Sequence, residues 1–571
     1  MKTGHFSAFD GQELFYREWE SSNPNGNIVI VLHRGHEHSE RLSGLAEQLT
    51  AQGYRVFSYD NRGHGHSQVE ATREFMTLVR DLDAFVHFVC QQAQCQQQAI
   101  FIVANSVAGV VASTWVHDFA PNIAGMALLA PAFRIKLYVP LAKPLLDLVL
   151  RFKPDLNITS YVKAQFLTHD PLQQQQYNTD ALITPLIPAR QLTTLLDTAK
   201  RVVDDAHLIV TPTLVMSATH DYVVDSAVQQ RFYAMLSSPL KQLVTLQGFY
   251  HGVLYEKGAD TQVIPPLLAF IVRCFAHTPP PQQETLRVLT QHECNTLVAG
   301  LMPLHRRINY ALQRFMLKHV GAVLSKGIQI GQQYGFDSGV TLDHVYRNQA
   351  QGVGRIGQYL DRNYLDSIGW RGIRQRKVHS MALLQQTIAQ LRERGEPVRI
   401  VDIAGGPARY LIEMAQAMPD ITIQVRDYQE QNLTQGRALA DSLNLTNIEY
   451  VAMDAFDPRS YIDQTFRPTI VVVSGIFELF GDNALVETAI RGIARFIQPQ
   501  GYVLYTGQPW HPQLEQIAQV LGNHQQQAWV MRRRSQYELD ALFSAVGFCK
   551  QAQRIDDWGI FTVSLVQADA L

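Results

Sequence analysis

Two stretches of this chain alternate apolar strand-like runs with helical patterns, and the run Thr278-Pro-Pro-Pro-Gln-Gln stands between them. Such alternation is the βαβ rhythm of a parallel sheet. A proline-rich break between two such rhythms marks a linker rather than a turn. With 571 residues, each part is long enough to bury a full core without disulfide staples. The chain is therefore expected to be an α/β protein of two domains. Residues 1–277 form the first, 278–284 link, 285–397 make a helical connector, and 398–571 form the last domain.

In the first part, Asn27–Leu32, Tyr54–Asp60, Ala99–Asn105, Gly125–Ala130, Thr213–Ser217 and Gln242–Leu246 read as buried strands, and Leu42–Gly53 as a helix. The rhythm breaks over about Phe133–Asp205, a leucine-rich helical insertion. The strand Ala99–Val103 runs into Ala104-Asn-Ser-Val-Ala-Gly109 and then a helix, which places Ser106 on a tight strand-to-helix turn. Asp221 and His251 each follow a later strand. Serine, acid and base in that order can make a nucleophile, the orienting carboxylate and the proton shuttle between them.

Two further segments carry a resemblance. Val31-Leu-His-Arg-Gly-His-Glu-His-Ser39 and Tyr59-Asp-Asn-Arg-Gly-His-Gly-His-Ser67 resemble the H-G-x-G-E-H-S and D-x-R-G-H-G-x-S segments of the monoacylglycerol lipase and lysophospholipase branch of α/β-hydrolases. The resemblance covers about residues 5–275. It implies an α/β-hydrolase fold with a helical cap, an oxyanion hole from the backbone N–H groups of Gly35 and Val107, and an acyl ester or lysolipid as substrate. Three positions depart from the pattern. Ala104 and Ala108 replace the glycines around the serine, where a Cβ raises the steric cost of unusual backbone angles. Arg34 replaces a glycine beside the oxyanion loop. His33, His36, His38, His64 and His66 crowd two loops, but the family carries histidines there without metal, and no metal is expected.

In the second part, the strand Val398–Asp402 leads into Ile403-Ala-Gly-Gly-Pro-Ala-Arg-Tyr410 and a helix. Small residues at such a turn let a ligand approach the backbone. Asp427 closes the next strand, Asp454 the third, and Pro468–Ser474 is a fully apolar fourth. A nicotinamide dinucleotide fold is the competing reading of a glycine turn. The acids after strands one and three and the late Ala-Val-Gly-Phe548 entry to a hairpin favour another. Together they resemble the Rossmann-like class I S-adenosylmethionine-dependent methyltransferases. That resemblance sets Asp402, Ala404, Gly405 and Gly406 against the methionine part of the cofactor, Asp427 on the ribose, and Asp454 with Ala455 at the adenine. Glu478 stands where acceptor residues of such enzymes often lie. Ala404 and Ala408 depart from the fuller glycine pattern.

The whole resembles bacterial fusions of an α/β-hydrolase with a class I methyltransferase. The function expected is ester hydrolysis of a lipid or small molecule, joined to methyl transfer onto an unknown acceptor. The alternative is a sensing or scaffold protein with an inert hydrolase half and the cofactor as ligand. Lys+Arg 49 against Asp+Glu 51 leaves no basic field for nucleic acid. No signal-type apolar run opens the sequence, and no stretch approaches the length of a membrane span. The chain is thus expected to be cytosolic. Leu297–Leu324 interleaves apolar and basic residues. Such a stripe can lie on an anionic membrane at its inner face, although packing against the protein itself is the expected use.

Overall fold

The computed structural model describes residues 1–277, 283–462 and 466–569, so most of the linker expected at 278–284 lies outside the described residues. The chain divides into two compact units, Met1–Gln282 and Gln283–Leu571.

The main sheet of unit 1 has eight strands: β1 (Lys2–Ser7), β2 (Glu13–Trp19), β3 (Ile28–Leu32), β4 (Arg55–Tyr59), β5 (Ile100–Asn105), β6 (Gly125–Leu129), β9 (Thr213–Ala218) and β10 (Lys241–Leu246). Their order across the sheet is β1-β2-β4-β3-β5-β6-β9-β10. Between β6 and β9 in the chain, β7 (Asn157–Thr159) and β8 (Leu186–Pro188) pair as a separate antiparallel ribbon. From β4 to β10 neighbouring strands are parallel, while β1 and β2 join antiparallel. Strands buried on both faces carry no polar alternation, which is why β3 and β5 read as continuous apolar runs. The strand β1 carries no apolar run in the sequence because it buries only Phe6, and β2 buries the charged Arg17 and Glu18 among its apolar residues. The insertion is helical, over Ala142–Leu150, Pro171–Thr179 and Ala189–Asp204, with the β7–β8 pair added. The stretch Ala259–Ala276 is apolar and long enough to cross a membrane by length and composition. Here its Leu267, Phe270, Ile271 and Cys274 pack into the unit 1 core.

Unit 2 carries seven strands, β11 (Arg399–Ile403), β12 (Thr422–Asp427), β13 (Ile448–Ala452), β14 (Ile470–Val473), β15 (Tyr502–Gly507), β16 (Phe548–Ile555) and β17 (Thr562–Ala568). Their order is β13-β12-β11-β14-β15-β17-β16, with β17 antiparallel to both neighbours. Side chains alternate across the sheet: Ile400 joins the core on one face, Val401 and Ile403 that on the other. Strand order along the sheet reverses between β11 and β14, and the crevice at such a reversal is where α/β sheets bind ligands. The helices between Gln283 and Glu393 belong to this same unit. Phe336, Val345, Leu365, Trp370 and Ile373 from them pack with Ile517, Trp529, Met531 and Phe561.

One expectation is corrected here. The stripe in Leu297–Leu324 does not bury itself: Leu301, Leu304, Ile308, Leu312, Phe315 and Val323 are all exposed. The helix Leu304–Met316 has no buried residue.

Candidate active sites

In unit 1 the strained point of the chain is Ser106. It leaves β5 with φ 53° and ψ −112° before the helix Val107–Phe119 begins, a conformation that costs about 1–3 kcal/mol and is kept only where the surroundings enforce it. The surroundings do so: Ser106 N–H donates to Leu129 O, and its carbonyl accepts from Gly109 and Ala132 N–H. Ala104 and Ala108 are not at positive φ, so the steric cost expected of alanine there does not arise. All the strain sits on the serine.

The loops after β9 and β10 bring Asp221 and His251 to that turn. Ser106 Oγ lies 2.7 Å from His251 Nε2, and His251 Nδ1 lies 2.7 Å from Asp221 Oδ2. With Nδ1–H donated to a carboxylate, Nε2 is left to accept the serine proton. Asp221 Oδ1 accepts from Val223 and Val224 N–H. Burial works against its charge, but His251 and these amides outweigh it and hold the carboxyl below its usual range. All three residues are buried. Ser106 and His251 line a cavity of about 460 Å³ whose apolar wall comes largely from the cap, through Leu137, Val139, Leu145, Leu146 and Val149.

Gly35 abuts Val107: a Cβ there would stand 3.3 Å from Val107 Cγ2. Both line the cavity beside Ser106, and no backbone acceptor takes the N–H of Gly35 among the described residues. Arg34 turns away from this pair. Its Nε and Nη2 donate to Glu37 at 2.8 and 2.7 Å, and its guanidinium lies over the Tyr255 ring. Both partners are buried, so deleting one strands a charge. Glu37→Ala is accordingly expected to lower the stability of unit 1 by about 3–5 kcal/mol, read as an earlier loss of its unfolding transition in urea. The histidines tie loops together: His33 Nε2 accepts from Asn61 N–H, His36 donates to Thr184 O, His38 meets Asp180 and His64 donates to Arg62 O. Among the described residues no group of His, Cys, Asp and Glu is placed to hold a metal.

In unit 2 the turns after β11, β12 and β14 line one cleft of about 860 Å³, which brings together Asp402, Ala404, Gly405, Gly406 and Asp427. Asp402 is buried and accepts from Tyr410 OH through Oδ2, while its Oδ1 has no partner among the described residues. Burial, less a little from Tyr410, pushes its carboxyl up to about 7. The backbone packs tightly on it, since a Cβ at Gly405 would lie 2.4 Å from its Oδ2. Gly406 at φ +59° faces open space and donates its N–H to Asp427. Ala404 and Ala408, the two departures from glycine, both adopt left-handed angles, at φ 56° and 49°. An orphaned carboxylate oxygen and a second acid, beside an open glycine, form an acceptor set that fits the ammonium and hydroxyls of an amino-acid nucleoside.

Asp454 and Ala455 are not brought to this wall. Asp454 caps its own turn by accepting from Phe456 N–H, and Ala455 O accepts from Tyr461 OH. Glu478 lies outside the cleft too, in an adjoining cavity where Oε1 meets Arg376 Nη1 at 3.3 Å. On the same helix as Arg376, Arg371 stacks over the Trp558 ring and Arg374 donates to Leu365 O.

Two residues of this site without a local sequence signature of their own are Arg532 and Arg534, both buried. Arg534 donates to Phe477 O, Phe480 O and Asn483, and Arg532 N–H donates to Glu478 O while its side chain binds Glu538 and Gly481 O. They fix the loop that carries Glu478. The Met-Arg-Arg-Arg-Ser run that contains them is the available signal, because three consecutive cations ahead of a helix are rarely buried without charge partners.

Residues 268–568 match the family described as "Putative methyltransferase", and residues 23–258 match that described as "Serine aminopeptidase, S33". Over 570 residues the chain is 42% identical to the uncharacterized protein YnbC of Escherichia coli strain K12, covering 98% of this chain and 97% of that one. Its first half is 28% identical to the monoglyceride lipase of Homo sapiens over 268 residues, 44% of this chain and 84% of the lipase. A solved structure, the monoacylglycerol lipase of Paleococcus ferrophilus, is 20% identical with a TM-score of 0.42, covering 47% of this chain and 100% of that one.

Proposed function

Because the chain belongs to the methyltransferase family matched over residues 268–568, and carries ahead of it an α/β-hydrolase domain of the S33 family, we propose that it is a bifunctional enzyme. Unit 1 hydrolyses the acyl ester of a lysolipid, monoacylglycerol or similar molecule, and unit 2 transfers a methyl group from S-adenosylmethionine to an acceptor. The observation that carries the first activity is the hydrogen-bonded line Asp221–His251–Ser106 at the floor of a cavity with an apolar lid.

Ser106 Oγ attacks the acyl carbon as its proton passes to His251 Nε2, and Asp221 stabilises the imidazolium so formed. The N–H groups of Gly35 and Val107 receive the negative charge that develops on the carbonyl oxygen. His251 then gives its proton to the leaving alcohol, and water repeats the sequence on the acyl-enzyme. The apolar cap wall suits a hydrocarbon chain, as do relatives named for monoglyceride hydrolysis. In unit 2, S-adenosylmethionine supplies an electrophilic methyl group when bound. Asp402 Oδ1 would hold its ammonium, Gly405 and Gly406 would lie along the methionine part, and Asp427 would take the ribose.

A cytosolic location with peripheral contact at the inner face of the membrane belongs to the same reading. It is supported by the exposed apolar residues Leu304, Ile308, Leu312 and Phe315, set among Arg306, Arg307 and Arg314.

Fluorophosphonate labelling tests the hydrolase half without a known substrate. The wild-type protein is expected to take the label at Ser106 and Ser106→Ala to take none. Absence of label from both would overturn the hydrolase activity and leave unit 1 as a sensing or scaffold module.

A further inference from the structure

Beside the cleft of unit 2 lies a second cavity, of about 460 Å³, within the range of about 300–1,000 Å³ typical of small-molecule sites. Arg376, Gly475, Leu479 and Trp529 line both, so the two spaces share a wall. Away from that wall much of the lining is apolar: Met316, Leu317 and Val320 on one side, Ile373, Ile517 and Leu521 on others.

Several buried polar atoms of this cavity are unusual in having nothing to bond. Both Gln508 side-chain atoms, Trp529 Nε1 and Glu478 Oε2 are buried and unpartnered among the described residues, and all three side chains line the cavity. Each orphaned group costs about 1–3 kcal/mol, so their gathering around one space points to a molecule that satisfies them. Charge narrows its nature. Arg376 is spent on Glu478 and lies over the Phe561 ring, Asp337 is paired with His524, and burial keeps His511 neutral. Among the described residues no unpaired charge lines the cavity to neutralise an ionised ligand, whose burial here would go uncompensated. What the orphans ask for is an oxygen that accepts from Trp529 and Gln508 and a hydroxyl that donates to Glu478 Oε2.

We propose that this cavity is the acceptor site of unit 2 and takes an uncharged amphiphile, its aliphatic body among the apolar walls and its hydroxyl head at Glu478 and Gln508. The proposal rests on the reading of the neighbouring cleft as the methyl-donor site. Such a molecule comes either from free solution or from a bilayer. The wall itself bears on the choice: the helix Leu304–Met316 and the turn Leu317–Gly321 line the cavity with Gln313, Met316 and Val320. They expose Ile308, Leu312 and Phe315 elsewhere, on a segment with no acidic residue between Glu293 and Asp337.

The test uses the full chain and a diazirine-bearing dodecanol, with the matching dodecanoic acid as its charged control, and maps the photo-adducts by peptide mass spectrometry. The alcohol is expected to label peptides containing Met316–Val320 or Ile517–Leu521, and free dodecanol to compete. The acid at pH 8 should label them about tenfold less or weaker still. Glu478→Gln, which leaves the Arg376 cation without its carboxylate partner, should narrow that gap, and Ile373→Trp, which fills the cavity, should abolish cavity labelling while the thermal midpoint holds. Adducts confined to unit 1 peptides, or equal labelling by acid and alcohol, would overturn the proposal. Calorimetry with S-adenosylhomocysteine separates the two readings. Nucleoside binding without cavity labelling overturns the acceptor site alone, whereas cavity labelling without nucleoside binding overturns the donor cleft and the acceptor role with it. Delivery from phosphatidylglycerol vesicles identifies the source. If Leu312→Glu with Phe315→Glu cuts labelling from vesicles about tenfold and spares labelling from free solution, the amphiphile is drawn from the bilayer; equal labelling in both assigns it to solution.

Discussion

His251→Ala is expected to lower kcat for a p-nitrophenyl ester by about four to six orders of magnitude while KM changes little. The split follows from where the groups lie. His251 Nε2 is the only base within hydrogen-bond distance of Ser106 Oγ among the described residues, so without it the hydroxyl attacks at its ordinary, feeble nucleophilicity. Ground-state binding belongs to other residues, the apolar cap wall of Leu137, Val139, Leu145 and Leu146. Asp221→Asn should cost about four orders of magnitude by a different route. Asp221 Oδ1 is fixed by the amides of Val223 and Val224, so the amide group of asparagine would turn its NH₂ toward His251 Nδ1. That imidazole would then carry its proton on Nε2, facing the serine. Steady-state kinetics of the two variants decide the matter. A His251→Ala enzyme retaining more than about one hundredth of wild-type kcat would remove the histidine from the chemistry.

What was legible in the sequence was what repeats or what has a fixed local signature. Parallel strands buried on both faces announce themselves as apolar runs, and β3, β5 and β14 do so most plainly. A serine at a strand-to-helix turn and an acid and a base after later strands are readable because the sheet brings strand ends to one edge whatever the loops do. The contrast between the two pairs of alanines was not readable. Ala104 and Ala108 sit in ordinary backbone while Ala404 and Ala408 are left-handed, and the residue type is the same in both. Asp454 follows its strand as Asp402 and Asp427 follow theirs, yet it turns back to cap its own turn; which way a carboxylate points past a strand end depends on the next few residues. The second cavity was least legible of all. Its walls come from residues spread from Gln313 to Phe561, and its identity lies in polar atoms that lack partners, a property of packing that no local pattern encodes.

The largest effect expected in unit 2 is a pH dependence written into Asp402. Its carboxyl is buried with Oδ1 unpartnered among the described residues and is pushed from 3.8 up to about 7. Between about pH 4 and 7 the folded unit therefore holds a proton that the unfolded chain has released. Stability falls as pH rises through that window and levels off above it. A cation placed against Oδ1 reverses the balance, because it needs the carboxylate. S-adenosylhomocysteine, with its ammonium, should then bind about 100-fold more weakly at pH 5 than at pH 8, with the change centred near 7. Asp402→Asn separates this from a general effect of acid. It should lose nucleoside affinity at pH 8 yet raise the thermal midpoint of the ligand-free protein at that pH, since a buried charge has been removed and the amide can still bond Tyr410. At pH 5 the same substitution should leave the midpoint nearly where it was. Calorimetry and thermal melts at the two pH values read out both effects. A flat affinity, or an Asp402→Asn variant that is less stable at pH 8, would mean that Asp402 already has its counter-charge within the fold and is not waiting for one from the ligand.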